Sequence, residues 1–325
     1  MLAGLALLVL GEVLARSVAP ELPGWRAQDG PSILLTGHPT RLWGLAPGER
    51  DNLGATATIN ALGFRGPLPE QGLRRVIVLG DSSYFGHGVE DEQTLGAVMA
   101  RSAGVEVLNL AVPGYSTEQS LVVMEEQGWD LDPELLVVGS MWSDSGFDVA
   151  QDRPLLASRG RSRWNPLVYS ALFRWVVTRV GPVQDLRFRR EGASGPRRVP
   201  IEDYAANLDE LARGGVPVIF VRPCPQVEAE GQSSGHDWAP YVQAQRAVAE
   251  HHGQPVLDAC EVFEGHRDLF LDELHPNAEG HRLLGEALAA RPWPMASTAR
   301  PAQVEVVDPW PEGPPVEGSP VGNLY

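Results

Sequence analysis

The sequence predicts an α/β domain in which a parallel sheet carries helices on both faces, and three observations lead there. From about Arg74 onward, short apolar runs alternate with helical stretches, the pattern of repeated βαβ units. The run Val76-Ile77-Val78-Leu79 is apolar at every position and mostly β-branched, as in a strand buried on both sides. It stops at Gly80-Asp81-Ser82, so a serine stands at the C-terminal end of a central strand, the edge where open α/β sheets bind ligands.

The elements follow in order. Leu2 to Leu10 is apolar throughout and continues weakly past Glu12 to Val18. This is short for a membrane span of about 20 residues, and no basic residue precedes it as in a signal peptide. Residues 1–20 are read as a hydrophobic anchor, truncated upstream in one variant of that reading. A signal segment and an amphipathic surface helix exposing Glu12 and Arg16 are the alternatives. Residues 21–72 form a Gly- and Pro-rich extension, whose Thr58–Pro67 stretch reads as a strand and turn packing on the main sheet.

The main domain, residues 73–292, has strand candidates at 75–79, 105–112, 135–140, 218–221 and 255–257. Helical stretches separate or follow them at 94–101, 117–127, 201–213, 238–252 and 277–290. An insertion at about 149–200, with Tyr169, Phe173 and Trp175 on an amphipathic stretch, is placed to overhang the site or to rest on a membrane. The tail, 293–325, has seven prolines and no apolar period, and reads as disordered.

Composition narrows the function. The 325 residues include 43% hydrophobic and 21% charged side chains, enough apolar matter for a sizeable core. The formal charge of −16 argues against a nucleic-acid partner, because phosphates would be repelled. All 26 basic residues are arginine, which rules out a lysine Schiff base or a Ser-Lys dyad. Cys224 and Cys260 each follow a strand candidate and form no metal motif; the expectation is two buried thiols rather than a disulfide. His275 and His281 lack a third ligand, and His281 is expected on a helix surface. Neither cofactor nor metal is expected.

A serine hydroxyl needs a base, an orienter for that base and donors for the developing oxyanion. Asp272-Glu273-Leu274-His275 lies on a loop before the last helix, at the same sheet edge as Ser82. A carboxylate and an imidazole three residues apart there can converge on the serine. Backbone N–H groups of Ser82 and Gly114 are placed to donate to an oxyanion, glycine at 114 permitting close approach. Gly231-Gln232-Ser233-Ser234-Gly235 also fits a Gly-x-Ser-x-Gly elbow. It lies ten or more residues past its strand, however, in a polar loop, whereas an elbow joins strand to helix directly. His87 and Asp144 are read as loop and capping residues, Met141 and Trp142 as lining the pocket.

Gly80-Asp81-Ser82-Ser83, then Gly114, then Asp272-Glu273-Leu274-His275 resemble blocks I, II and V of the SGNH/GDSL hydrolases. Ile59-Asn60-Ala61-Leu62-Gly63-Phe64-Arg65-Gly66 and the hydrophobic N-terminus resemble membrane-associated bacterial members. The resemblance implies a three-layer α/β/α sandwich on a five-stranded parallel, flavodoxin-like sheet. It also implies a Ser82 nucleophile, His275 base, Asp272 orienter and an oxyanion hole of Ser82, Gly114 and the block III asparagine. Here Gly139-Ser140-Met141-Trp142-Ser143-Asp144 places Ser143 at that asparagine's position. The implied activity is hydrolysis of acyl or acetyl esters of a lipid or carbohydrate, outside the cytoplasm. Acyl transfer to a cell-surface glycan, or ligand binding by a weakened member of the fold, are the variants.

Overall fold

The computed structural model describes residues 2–18, 35–38, 40–45, 47–70, 72–148, 151–160, 172 and 195–291. Most of the 149–200 insertion and all of the 293–325 tail lie outside these residues. The chain opens with a helix, Leu2–Val18, followed by two antiparallel hairpins, β1 (Leu35–His38) with β2 (Leu42–Leu45) and β3 (Gly48–Asn52) with β4 (Ala55–Ile59). The main sheet comprises β5 (Arg75–Gly80), β6 (Glu106–Asn109), β7 (Leu135–Gly139), β8 (Val218–Arg222) and β9 (Val256–Asp258). These five strands are parallel in the order β6-β5-β7-β8-β9, the flavodoxin-like topology.

Every residue of β5 and β7 is buried, as their unbroken apolar runs require of central strands covered on both faces. Helices Leu95–Ala103 and Ala278–Ala289 pack together on one face. Thr117–Val123, Ile201–Ala212 and Ala239–His252 form the opposite layer. The strand order reverses between β5 and β7, so the loops leaving these two strands diverge and open a crevice at their C-terminal ends. At that end Tyr84 lies across two glycines. A Cβ on Gly80 would meet the Tyr84 ring at 2.6 Å, and one on Gly139 would overlap the same ring.

The β3–β4 extension is fastened to this edge by Arg65, which is buried. Its Nε bonds Asp91 at 2.7 Å, while its terminal nitrogens donate to the carbonyls of Phe85, Gly86, Val89 and Thr56. The Thr58–Pro67 stretch therefore packs on the main sheet as a strand and turn, and Arg65 ties it to the turn behind Ser82.

Two sequence expectations are overturned. Cys224 and Cys260 form a disulfide, their Cα atoms 4.9 Å apart. β8 and β9 pair in parallel with Arg222 opposite Asp258, so residues two positions beyond each partner emerge side by side. His281 is fully buried rather than on the helix surface. Helix Ala278–Ala289 turns it toward Leu95, whose N–H donates to its Nδ1 at 3.2 Å.

Burial, with the charges of Arg65 and His275 adding to it, pushes the His281 ring down to about 3. A histidine that titrates lower when folded binds its proton more tightly in the unfolded chain. Its contribution to stability is thus present above the unfolded value near 6.5 and is lost as pH falls toward 3. Thermal melts between pH 7 and 4 should fall less steeply in His281→Gln than in wild type, the difference approaching about 1.4 kcal/mol per pH unit. Equal slopes would show that the folded ring takes up its proton as readily as the unfolded chain does.

Candidate active site

Ser82 is the first residue of a short helix, Ser82–Phe85, that begins where β5 ends. Asp81 caps this helix through Oδ1, which accepts the N–H of Ser83 at 3.2 Å. The cap turns the chain sharply and lifts the Ser82 side chain to the crevice. The N–H groups of Ser82 and Gly114 make no hydrogen bond among the described residues. For Ser82 this is the ordinary condition of a helix's first turn.

The loop Leu271–His275 reaches Ser82 from helix Ala278–Ala289. His275 Nε2 lies 2.8 Å from Ser82 Oγ, and His275 Nδ1 lies 2.7 Å from Asp272 Oδ2. The other oxygen of Asp272 accepts the N–H groups of Leu274 and His275, both at 2.8 Å, which closes the loop on itself. Burial alone would raise the Asp272 carboxyl. The His275 hydrogen bond and charge, with the two backbone donors, override it and hold the group well below the usual carboxylate range. Asp272 is thus an anion beside the imidazole, in the position that selects the Nδ1–H tautomer.

Gly114 adopts φ +78°, a conformation that favours glycine, and its carbonyl accepts from Arg198 at 2.8 Å. Arg198 is fully buried, pairs with Asp152 at 2.7 Å and also reaches Gln119. It comes from the returning end of the insertion and fixes the Gly114 peptide from behind. Sequence reading passed over Arg198 because a lone arginine in an Arg-rich loop carries no local pattern.

Ser143 lies at the crevice, but its hydroxyl donates to Asp81 Oδ2 at 3.2 Å, and its hydrogen is therefore engaged with the helix cap. Asp81 is fully enclosed. Burial pushes its carboxyl up to about 6, against the opposing hydrogen bond from Ser83 and the charge of His275. Asp144 accepts the N–H of Thr117 at 3.0 Å and its hydroxyl at 2.5 Å, so it holds the first turn of that helix, whose N-cap is Ser116, from 27 residues away in sequence. Met141 is core, and Trp142 stands edge-on to His236 and Trp238. Ser233 is exposed in a loop between helices Gln226–Ala229 and Ala239–His252, away from any strand end.

His87 goes beyond its expected loop role. Its ring packs against His275 with centroids 4.6 Å apart, and it is buried. Burial, then the charge of His275, lowers it to about 4. It therefore forms a neutral floor beneath the imidazole. The spacing Gly80 to His87 held no signal for this contact, which depends on the fold of two distant loops.

The disulfide stands next to this constellation. The segment after β8 bonds to the loop that bears Asp272 and His275 through Gln226 N–H to Glu273 O at 2.8 Å. Gly265 N–H donates to Ala229 O, also at 2.8 Å.

Among solved structures, a lipase/acylhydrolase from Enterococcus faecalis is 18% identical and aligns over 67% of this chain and 94% of its own, with a TM-score of 0.45. LAE5, an alpha/beta hydrolase enzyme from the metagenome of Lake Arreo, Spain, is 16% identical over 67% and 94%, also at 0.45. Axe2, an acetylxylan esterase from Geobacillus stearothermophilus, is 14% identical over 66% and 92%, at 0.42. No curated protein matches the chain. The GDSL-like lipase/acylhydrolase family model matches residues 78–283, which holds both Ser82 and the Asp272–His275 loop. The chain belongs to the GDSL-like lipase/acylhydrolase family and is an ester hydrolase.

Proposed function

We propose that the protein hydrolyses acyl or acetyl esters through Ser82, His275 and Asp272, and the observation that carries this reading is their continuous hydrogen-bonded chain of 2.8 and 2.7 Å at the sheet's switch point. His275 Nε2 takes the Ser82 proton as Oγ attacks the ester carbonyl. Asp272 stabilises the imidazolium that results. The tetrahedral oxyanion lies against the N–H groups of Ser82 and Gly114, donors already in place before reaction. His275 then gives its proton to the departing alkoxide, and water activated by the same imidazole releases the acid. A sugar hydroxyl in place of that water would make the reaction an acyl transfer to a glycan.

Two features support a place outside the cytoplasm. The Cys224–Cys260 disulfide belongs to oxidising compartments. Helix Leu2–Val18 leaves Leu7, Leu8, Val9, Leu10, Val13 and Leu14 exposed on all its sides, an apolar surface suited to contact with a membrane. No helix among the described residues is long and apolar enough to cross a membrane. In this reading the N-terminus lies against the bilayer.

The test is covalent labelling with a fluorophosphonate alongside p-nitrophenyl acetate hydrolysis, comparing wild type, Ser82→Ala and Ser143→Asn. Label should reach wild type and be lost in Ser82→Ala. The amide of Ser143→Asn has two hydrogens, one for Asp81 and one for the oxyanion, so kcat should rise by about 10- to 100-fold, up to the lower end of the 10²–10³ that a single well-placed oxyanion donor commands. Absence of label and turnover in both wild type and Ser143→Asn would favour a protein that binds esters without cleaving them.

A further inference from the structure

The β3–β4 hairpin ends in a two-residue turn, Leu53-Gly54, with Asn52 paired to Ala55. Leu53 has φ +58° and Gly54 φ +86°. Such a turn favours Asn-Gly, and a branched aliphatic residue in the left-handed region is unusual. Burial does not account for it, since Leu53 is 45% exposed. Asn52 holds the hairpin tip over the loop after Ser82. Its amide donates to the carbonyls of Gly86 and Val89 at 2.9 and 3.0 Å, and its oxygen accepts the N–H of Gly88 at 3.1 Å.

A second exposed leucine meets the first there. Leu271, 50% exposed, directly precedes Asp272, and its N–H donates to the His275 carbonyl at 2.8 Å. A Cβ built on Gly88 would lie 2.5 Å from Leu271 Cδ1 and 3.9 Å from Leu53 Cδ1, so both side chains converge over Gly88. The preceding residue is His87, the floor beneath His275.

The faces of the sheet decide which half of an ester this patch meets. Gly114 leads into helix Thr117–Val123, which joins Ile201–Ala212 through Asn207 Nδ2 to Thr117 Oγ1 at 2.9 Å. His275 leads instead into helix Ala278–Ala289, on the face of Leu95–Ala103. The oxyanion donor and the base thus approach Ser82 from opposite faces. With the carbonyl oxygen toward Gly114, the leaving oxygen must face His275 Nε2, because that nitrogen protonates it. The two leucines stand on the same side.

We propose that Leu53 and Leu271 form an apolar lip that receives the alcohol half of the ester, so that the preferred substrates are esters of hydrophobic, alkyl-chain alcohols. This rests on the Ser82–His275–Asp272 mechanism proposed above. The hairpin tip accepts an unfavourable backbone at Leu53 because an aliphatic side chain is needed at that point.

Two ester series on the full-length chain test it, with wild type, Leu53→Asn and Ser82→Ala. One varies the alcohol (ethyl, butyl and hexyl acetate, followed by pH-stat). The other varies the acid (p-nitrophenyl acetate, butyrate and hexanoate). Asparagine suits the left-handed turn, so Leu53→Asn should melt at or above the wild-type temperature. Wild type should favour hexyl over ethyl acetate in kcat/KM by about tenfold or more, and Leu53→Asn should bring that ratio close to one. The hexanoate-to-acetate ratio should be the same in both proteins. A wild-type alcohol ratio near one, a ratio untouched by Leu53→Asn, or a change confined to the acid series would overturn the lip. Failure of wild type to cleave any ester, or cleavage that survives in Ser82→Ala, would instead overturn the mechanism beneath it.

Discussion

On the proposed mechanism, alanine at Ser82 should lower kcat for p-nitrophenyl acetate by about 10⁴–10⁶-fold, and His275→Ala should do nearly the same, since a nucleophile and its base act as one unit. The double variant should therefore be little worse than either single one. Asp272→Asn should cost less, about 10²–10⁴-fold. An amide in that place no longer balances the imidazolium charge, yet the Asp272 side chain is 48% exposed, so water can partly take over its hydrogen bond. Ser233→Ala, in its exposed loop, should match wild type. Steady-state kinetics on these five variants with matched thermal melts would decide the assignment. More than about 1% residual turnover in Ser82→Ala would remove that serine from the chemistry.

The second large effect concerns the disulfide. Cys224 and Cys260 are 36 residues apart in sequence, and closing a loop of that size restricts the unfolded chain by about 4 kcal/mol on the chain-entropy account. Replacing both cysteines by alanine should therefore lower Tm by roughly 10 °C for a domain of this size. The loss should also reach catalysis. The bridge joins the segment after β8 to the one after β9, and these flank the loop that presents Asp272 and His275. A base displaced by about 1 Å can cost a factor near 100. We expect kcat in the double variant to fall between tenfold and a hundredfold while Ser82 still takes fluorophosphonate slowly. Unchanged Tm and kcat would mean that the hydrogen bonds from Gln226 and Gly265 hold the loop without the bridge.

Much of this is legible in the sequence. β5, β7 and β8 announce themselves because central parallel strands must be apolar on both faces, and their order of appearance with intervening helices fixes the sheet's class. Ser82, Asp272 and His275 were legible because each sits in a short run whose neighbours have fixed jobs: the Asp81 cap, and Leu274 donating its N–H to Asp272. What escaped is non-local. The disulfide follows from the register of β8 against β9, a pairing that strand propensity does not contain. His281 was misread because helix Ala278–Ala289 is covered by Leu95–Ala103, which lies over 170 positions earlier in the chain. The direction of the Ser143 hydroxyl depends on Asp81, a residue whose burial no local pattern reveals.

The ring of Tyr84 spanning Gly80 and Gly139 has an implication for descent. The three positions occupy one small volume, so their permitted residues are correlated rather than independent. A methyl group at Gly139 is excluded while the tyrosine remains, one at Gly80 is excluded by the Gly139 carbonyl oxygen whatever stands at 84, and a smaller residue at 84 opens a void while both glycines remain. Every single-step path away from this trio passes through a poorly packed intermediate. Lineages that keep the crevice should therefore keep Gly80 outright and inherit or exchange residues 84 and 139 together, even though these two stand 55 positions apart in sequence.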